Sequence, residues 1–124
     1  MFKYCERLKS VRLNEGLEKL GKFAFSGTAI EAIELPSTLK RIEAETFSWC
    51  RNLKRVEIPN GVEHIEEKCF YGSAITEITL PNTLKEMGEN AFNGCNNLQT
   101  VWVEEGCALD IGKYVGKDVE VRRK

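Results

Sequence analysis

A repeat of 22 to 23 residues runs through this chain and restricts its fold more than any other feature. Five phenylalanines mark the repeat, at spacings of 23, 22, 23 and 22 residues: Phe2, Phe25, Phe47, Phe70 and Phe92. The same apolar positions follow each of them, as in the ladder Leu8, Ile30, Leu53, Ile75 and Leu98 and the ladder Val11, Ile33, Val56, Ile78 and Val101. Because one such unit cannot bury its own apolar face, a fixed period of this length predicts a solenoid of stacked coils.

Within one coil, the pattern predicts a short strand, a turn and a second short segment. Val56 and Ile58 alternate with charged residues, which is the period of two of a half-buried strand. Pro59 follows where the strand ends and a missing N–H is tolerated. The next apolar pair, Val62 and Ile65, is spaced by three residues and suits a short extended or 3₁₀ segment. Stacked at the strand spacing of about 4.8 Å, the coils would turn each ladder into a continuous column of the core.

Long and short coils alternate along the chain. The long coils carry a cysteine three residues after the phenylalanine, at Cys5, Cys50 and Cys95, and end with a glycine turn at Gly16, Gly61 and Gly106. The short coils have one residue fewer and use Ser37-Thr38 or Asn82-Thr83 at that turn. We therefore interpret the repeating unit as a pair of coils, 45 residues in total.

The segment Met87-Gly88-Glu89-Asn90-Ala91-Phe92-Asn93-Gly94-Cys95 matches the last part of the signature Leu-x-x-Ile-x-Ile-Pro-x-x-Val-x-x-Ile-Gly-x-x-Ala-Phe-x-x-Cys. The chain resembles the BspA-like bacterial leucine-rich-repeat family over about residues 2 to 107. Glu43 and Glu66 depart from it by replacing the glycine, and the register is lost after Cys107.

The resemblance implies an α/β-type repeat solenoid that is mostly β. It would be curved and right-handed, with a parallel sheet on the concave wall and short extended or 3₁₀ segments on the convex wall. Members occur mostly on bacterial surfaces and in some eukaryotic parasites, where they serve in adhesion and protein binding. We expect one domain, with about five coils over residues 1–107 and a C-terminal capping segment over residues 108–124.

Charge and hydropathy exclude several kinds of partner. A net charge of −1 gives no bulk field for nucleic acid, and no apolar run is long enough to span a membrane. Met1-Phe2 begins inside a repeat, so we expect the chain to be a fragment of a longer protein or to have its first coil covered by another chain. The lack of a signal peptide therefore says little about export.

The five cysteines are expected to be buried free thiols. Cys5, Cys50 and Cys95 recur every second coil, which places them about 9 to 10 Å apart. A disulfide needs Cα atoms within about 7 Å. Cys69 takes a small-residue position and Cys107 replaces a ladder leucine, while no C-x-x-C pair provides a zinc site. We predict neither disulfide nor metal.

Catalytic signatures are also missing from the sequence. The single histidine, His64, is followed by Ile65-Glu66-Glu67 and does not form the H-E-x-x-H zinc helix. A Cys–His pair would need His64 to reach Cys69, but Ile65 should point inward and His64 therefore outward. We predict that the chain is not an enzyme and uses no cofactor.

The outward positions of the predicted strands are the candidate ligand-contact residues on the concave face. They are Arg12, Glu34, Arg55, Glu57, Glu77, Thr79, Trp102 and Glu104. Glu104 belongs to a third outward column that also contains Asn14, Pro36, Pro59 and Pro81. Neighbouring coils place Arg12 opposite Glu34 and Arg55 opposite Glu77. Two interpretations stay open: a solvated face that keeps the coils soluble, or a mixed-charge surface that binds a protein.

Trp102 also allows two interpretations. It is either an interface hot spot or an aromatic that caps the last coil, with Tyr114-Val115 folded over it. The alternating segment from Asp118 to Arg122 predicts a terminal strand. The favoured function is a non-catalytic protein-interaction or adhesion module of a bacterial surface or secreted protein. The alternatives are a structural spacer that self-associates end to end through uncapped coils and an intracellular regulatory repeat protein.

Overall fold

Each of the first four coils of the solenoid contributes one strand to each of two walls. The computed structural model describes residues 10–123, and within them the chain forms ten strands and one 3₁₀ turn, Ile111–Tyr114. The front wall contains β1 (Ser10–Arg12), β3 (Ala32–Glu34), β5 (Arg55–Glu57), β7 (Glu77–Leu80), β9 (Thr100–Val103) and β10 (Glu120–Arg123). The back wall contains β2 (Lys19–Leu20), β4 (Arg41–Ile42), β6 (His64–Ile65) and β8 (Glu86–Met87). The fold class predicted from the repeat and the family resemblance, a mostly β solenoid with a parallel sheet, is confirmed.

Strand pairing follows the repeat. Every pair is parallel, and equivalent residues of successive coils face each other: Ile78 lies between Val56 and Val101, and Ile65 lies between Ile42 and Met87. This register keeps each ladder on one side of the sheet, where its side chains share the core. The back wall is one sheet, whereas the front wall is divided into β1–β3 and β5–β7–β9–β10. Ile33 on β3 is accordingly half-buried, although its equivalent Val56 on β5 is buried.

The phenylalanine ladder forms the centre of the core. The rings of Phe25, Phe47, Phe70 and Phe92 stack with centroid separations of 5.8, 5.4 and 5.6 Å and interplanar angles of 5° to 8°. All four side chains are buried. Aromatic pairs at such distances gain about 0.5–1.5 kcal/mol beyond the burial of their area. Phe2, the first member of the ladder, lies outside the described residues.

One turn position of the repeat has a positive φ and is a glycine in most coils, but one coil has a tryptophan there. Gly27, Gly72 and Gly94 have φ values of 71°, 69° and 78°, and Trp49 takes the equivalent place with φ 59°. The indole of Trp49 lies over Gly72, where a Cβ would come within 2.6 Å of it, and meets the Tyr71 ring edge-on at 5.4 Å. Trp49 therefore packs along the turn edge, with 49% of its surface exposed.

The cysteines occupy core positions with one departure from expectation. Cys50, Cys69 and Cys107 are buried free thiols, whereas Cys95 is a free thiol that is only half-buried. Cys50 Sγ donates to the Phe25 carbonyl at 3.2 Å, and Cys95 Sγ donates to the Phe70 carbonyl at 2.9 Å. The equivalent cysteines of two long coils thus bind the phenylalanine carbonyl of the preceding coil. Cys5 lies outside the described residues.

The C-terminal segment continues the stack. β10 pairs with β9 so that Val121 faces Val101, and Ile111 of the 3₁₀ turn is buried. Tyr114 and Val115 line a cavity of about 680 Å³ together with Phe92 and Cys95. The predicted terminal strand is therefore present, and the division of the chain at residue 107 stays a prediction.

Candidate interaction surface

The front wall presents two outward rows because alternate residues of each strand point away from the core. Strand pairing defines the rows within each sheet of the front wall, and the repeat continues them from β3 to β5, which are not paired. The first row is Ser10, Ala32, Arg55, Glu77, Thr100 and Glu120, and the second is Arg12, Glu34, Glu57, Thr79, Trp102 and Arg122. Seven of the eight predicted site residues lie in these rows, and the eighth, Glu104, follows β9.

Two cross-strand ion pairs connect neighbouring coils. Arg12 Nε lies 3.2 Å from Glu34 Oε2, and Arg55 Nη2 lies 3.1 Å from Glu77 Oε2. Both pairs were predicted from the repeat alone, since equivalent outward positions must be neighbours in an in-register parallel sheet. The arginine side chains are 82% and 79% exposed, so water screens the attraction. Each pair contributes about 1 kcal/mol or less to folding.

Trp102 is held between two charged residues from the strands on either side of it. Its indole N–H donates to Glu77 Oε1 at 3.2 Å, and the Arg122 guanidinium lies 5.4 Å from its ring centroid. Arg122 also contacts the Glu120 carboxylate. The residue placed over the ring is thus Arg122, whereas Tyr114 and Val115 line the pocket beside Phe92 and Cys95. Sequence reasoning left Arg122 out of the site, although the alternation from Asp118 to Arg122 predicted its strand.

Glu57 and Thr79 border a shallow depression of about 360 Å³. Arg55, Glu77 and Trp102 line it as well, so five of the eight predicted residues meet here. Arg12 and Glu34 form their own pair on the other sheet of the front wall, and Glu104 does not line the depression.

The third outward column expected from the sequence does not form a surface row. Pro36 and Pro81 are buried, and Pro59 and Glu104 are half-buried. The chain leaves the strand at these prolines, so this column has no fixed outward direction. The front wall accordingly presents two rows of side chains.

The back wall carries its own charged cluster. His64 is half-buried instead of exposed as predicted, with Nδ1 3.4 Å from Glu86 Oε1 and Nε2 4.0 Å from Glu63 Oε1. The alternation with buried Ile65 directs it away from the core, but its neighbours on the wall cover it. Arg41 Nη1 bonds Glu66 Oε2 at 2.8 Å, which gives the back wall an ion pair comparable to Arg55–Glu77.

Residues 10–123 contain neither a metal-ligand cluster nor a membrane-spanning helix. No cluster of three or more His, Cys, Asp and Glu side chains there is arranged to hold a metal ion. None of the helical structure in that range is long and apolar enough to cross a membrane.

The family assignment comes from a family model. The BspA type leucine rich repeat region matches residues 1–115 in six copies. The chain belongs to this family. The match extends past Cys107, where the apolar register is lost, and includes the 3₁₀ turn Ile111–Tyr114. Leucine-rich repeats of this type generally form binding scaffolds without catalytic groups.

Solved structures of bacterial leucine-rich-repeat proteins resemble the chain. A T. pallidum leucine rich repeat protein is 27% identical, with a TM-score of 0.84 over 98% of this chain and 59% of its own. A leucine-rich repeat protein from Eubacterium ventriosum is 20% identical, with a TM-score of 0.80 over 85% of this chain and 28% of its own.

A leucine rich cell surface protein from Faecalibacterium prausnitzii is 27% identical, with a TM-score of 0.53 over 82% of this chain and 34% of its own. The chain thus spans between 28% and 59% of the length of these three structures. No curated protein shows a significant match.

Proposed function

We propose that this BspA-type repeat is a non-catalytic protein-interaction module that binds its partner through the front wall. The contact series from Arg55 through Glu77 and Trp102 to Arg122 carries the proposal. These side chains come from four successive strands and hold one another in place before any partner arrives. Immobilising a mobile side chain on binding costs about 0.5–1.5 kcal/mol. Because these side chains are already held in place, binding avoids that cost for them.

The composition of this surface suits a protein partner. Tryptophan and arginine are among the residues over-represented at binding hot spots, and both occur here among the charged groups of the two outward rows. We place the module in a bacterial surface or secreted protein that serves in adhesion. The family and the surface protein of Faecalibacterium prausnitzii with a similar fold support that location.

The test compares matched substitutions on the two walls. A partner would be identified by crosslinking the folded chain in extracellular bacterial and host protein fractions, then purified and titrated by calorimetry. Arg55→Glu and Trp102→Ala should each weaken its binding at least about tenfold, the loss of about 1.4 kcal/mol or more expected of a hot-spot residue. Arg41→Glu breaks the equivalent ion pair on the back wall and is the control. A partner that tolerates both front-wall changes but not Arg41→Glu would refute the proposal.

A structural spacer that assembles end to end is the second candidate. The observation that favours it is the position of β10, which among residues 10–123 pairs with β9 alone. A strand edge of this kind offers backbone groups to another chain, although the exposed Arg122 and Arg123 on it disfavour close pairing of two copies. Light scattering over a wide concentration range separates the candidates, since assembly requires the mass to rise with concentration.

A further inference from the structure

The front wall contains a gap above Thr79, between Glu57 and Trp102, which we call the slot. Glu57, Thr79 and Trp102 are register neighbours on β5, β7 and β9. Adjacent strands are about 4.8 Å apart, so the backbones of Glu57 and Trp102 are about 10 Å apart with only the short threonine side chain between them. The depression of about 360 Å³ on this wall is lined by all three residues and extends past Glu57 to Ile33 on β3.

One side of the slot is the Trp102 indole, which is already oriented. Its N–H is bound to Glu77 at 3.2 Å, and Arg122 lies over the ring. Because Arg122 belongs to β10 and Thr79 to β7, register places them on opposite sides of Trp102. Arg122 therefore comes from the strand on the side of Trp102 away from Thr79, and the hydrogen bond to Glu77 orients the indole before the slot is filled.

The opposite side of the slot is the Glu57 carboxylate. Glu57 is exposed, and within residues 10–123 its side chain makes no ion pair or hydrogen bond. Arg55 is already paired with Glu77 at 3.1 Å and does not neutralise Glu57. The three charged residues that line the slot, Arg55, Glu57 and Glu77, have a net charge of −1. An aromatic ring and an uncompensated carboxylate facing each other across a gap of this width attract a cation.

We propose that the slot binds one arginine or lysine side chain of an extended protein segment. The cationic head lies between Glu57 and the Trp102 ring, and its alkyl stem passes over Thr79. An acidic side chain would meet the negative charge of Glu57, and a neutral one would leave that carboxylate unpaired. This inference rests on the proposed function, because it names the chemistry that the partner presents to the same wall.

The probe is a short capped peptide with one central arginine, titrated into ¹⁵N-labelled protein and followed by NMR. Its controls replace that arginine with citrulline, which keeps the shape without the charge, and with glutamate. We expect the arginine peptide to shift the indole N–H signal of Trp102 and the amide of Thr79, and the signal of Trp49 to stay in place. The citrulline peptide should bind at least about fivefold more weakly, as expected for the loss of about 1 kcal/mol from an exposed ion pair.

Two variants locate the site. Glu57→Gln should weaken the arginine peptide by about fivefold. Glu34→Gln removes the same charge from the same row but from a carboxylate already paired with Arg12, and it should leave binding unchanged. Thr79→Lys brings an ammonium group into the slot from the chain itself and should abolish peptide binding while the fold, checked by circular dichroism, is retained.

Several results would overturn the proposal: no binding of the arginine peptide, equal binding of the citrulline peptide, tighter binding of the glutamate peptide, or undiminished binding by Thr79→Lys. They are distinguishable from failure of the proposed function. If Arg55→Glu weakens the binding of a protein partner and Thr79→Lys leaves it unchanged, the front wall is still the binding surface. The slot is then not part of that surface.

Discussion

The hydroxyl of Thr83 joins two neighbouring coils at the turn of Gly61. It accepts a hydrogen bond from the Gly61 amide at 3.0 Å and donates one to the Val62 carbonyl at 2.9 Å. The same arrangement occurs 45 residues earlier, where Thr38 bonds the Gly16 amide at 2.9 Å and the Leu17 carbonyl at 2.7 Å. A threonine of each short coil thus holds the glycine turn of the preceding long coil. This supports the pair of coils as the structural unit.

Replacing Thr83 with valine should destabilise the fold by about 1–2 kcal/mol, because the amide of Gly61 and the carbonyl of Val62 both lose a partner at a part-buried turn. Urea unfolding would measure the change. Thr100→Val is the matched control, since Thr100 is a half-buried strand residue for which valine is well suited. Equal losses for the two variants would contradict the role of the hydroxyl.

Replacing Phe70 with alanine should cost about 3–5 kcal/mol, because it removes a buried ring that stacks on Phe47 and on Phe92 and leaves a cavity. Tyr71→Ala, at the adjacent half-buried position, should cost clearly less. Denaturant unfolding of both variants checks the prediction. A loss below about 1 kcal/mol for Phe70→Ala would place this residue outside the core.

Gly88 should tolerate no side chain. A Cβ at this position would overlap the backbone of Glu66 and Glu67 in the preceding coil, and backbone cannot move aside without shifting the stack. We expect Gly88→Ala to destabilise the fold by about 1–3 kcal/mol. Gly116→Ala introduces the same methyl group where nothing lies within 4 Å and should change stability by less than about 0.5 kcal/mol. Thermal unfolding that ranks the two variants in the reverse order would contradict the packing of the coils.

The buried thiols should react slowly and should make the fold sensitive to alkali. Burial raises the pKa of Cys50 from 9.0 to about 11, and burial likewise raises the pKa of Cys69 well above its ordinary value. Little thiolate is therefore present near neutral pH, and a disulfide reagent should label the native protein far more slowly than the unfolded one.

The sign of the pH effect follows from proton binding. Above pH 9 the unfolded thiol loses its proton while folded Cys50 keeps it until about pH 11, so the stability present below pH 9 falls across that range. Cys50→Ala removes one of these groups and should make the decline shallower. Rapid native labelling of Cys50, or a stability that rises from pH 9 to 11, would show that the thiol is not buried as described.

The ion pairs of the front wall illustrate what could be predicted. A repeat of constant length stacks equivalent residues side by side, so Arg12–Glu34 and Arg55–Glu77 follow from sequence positions alone. The same argument identified the phenylalanine stack. It failed for Pro36 and Pro81, because a column that lies at a turn has no fixed outward direction, and for His64, whose neighbours on the back wall cover it.

The sequence by itself thus determined the solenoid, the register of its coils and which residues share each ladder. These properties depend on the length of the repeat and on the pattern of apolar residues, and both can be read from the amino-acid sequence. Only the tertiary structure decided that the front wall divides between β3 and β5, that Trp102 turns towards Glu77, and that Arg122 returns from the C-terminal segment to cover its ring. A strand places side chains above its surface, but the rotamer each one takes depends on contacts with the next coil, which the period does not encode.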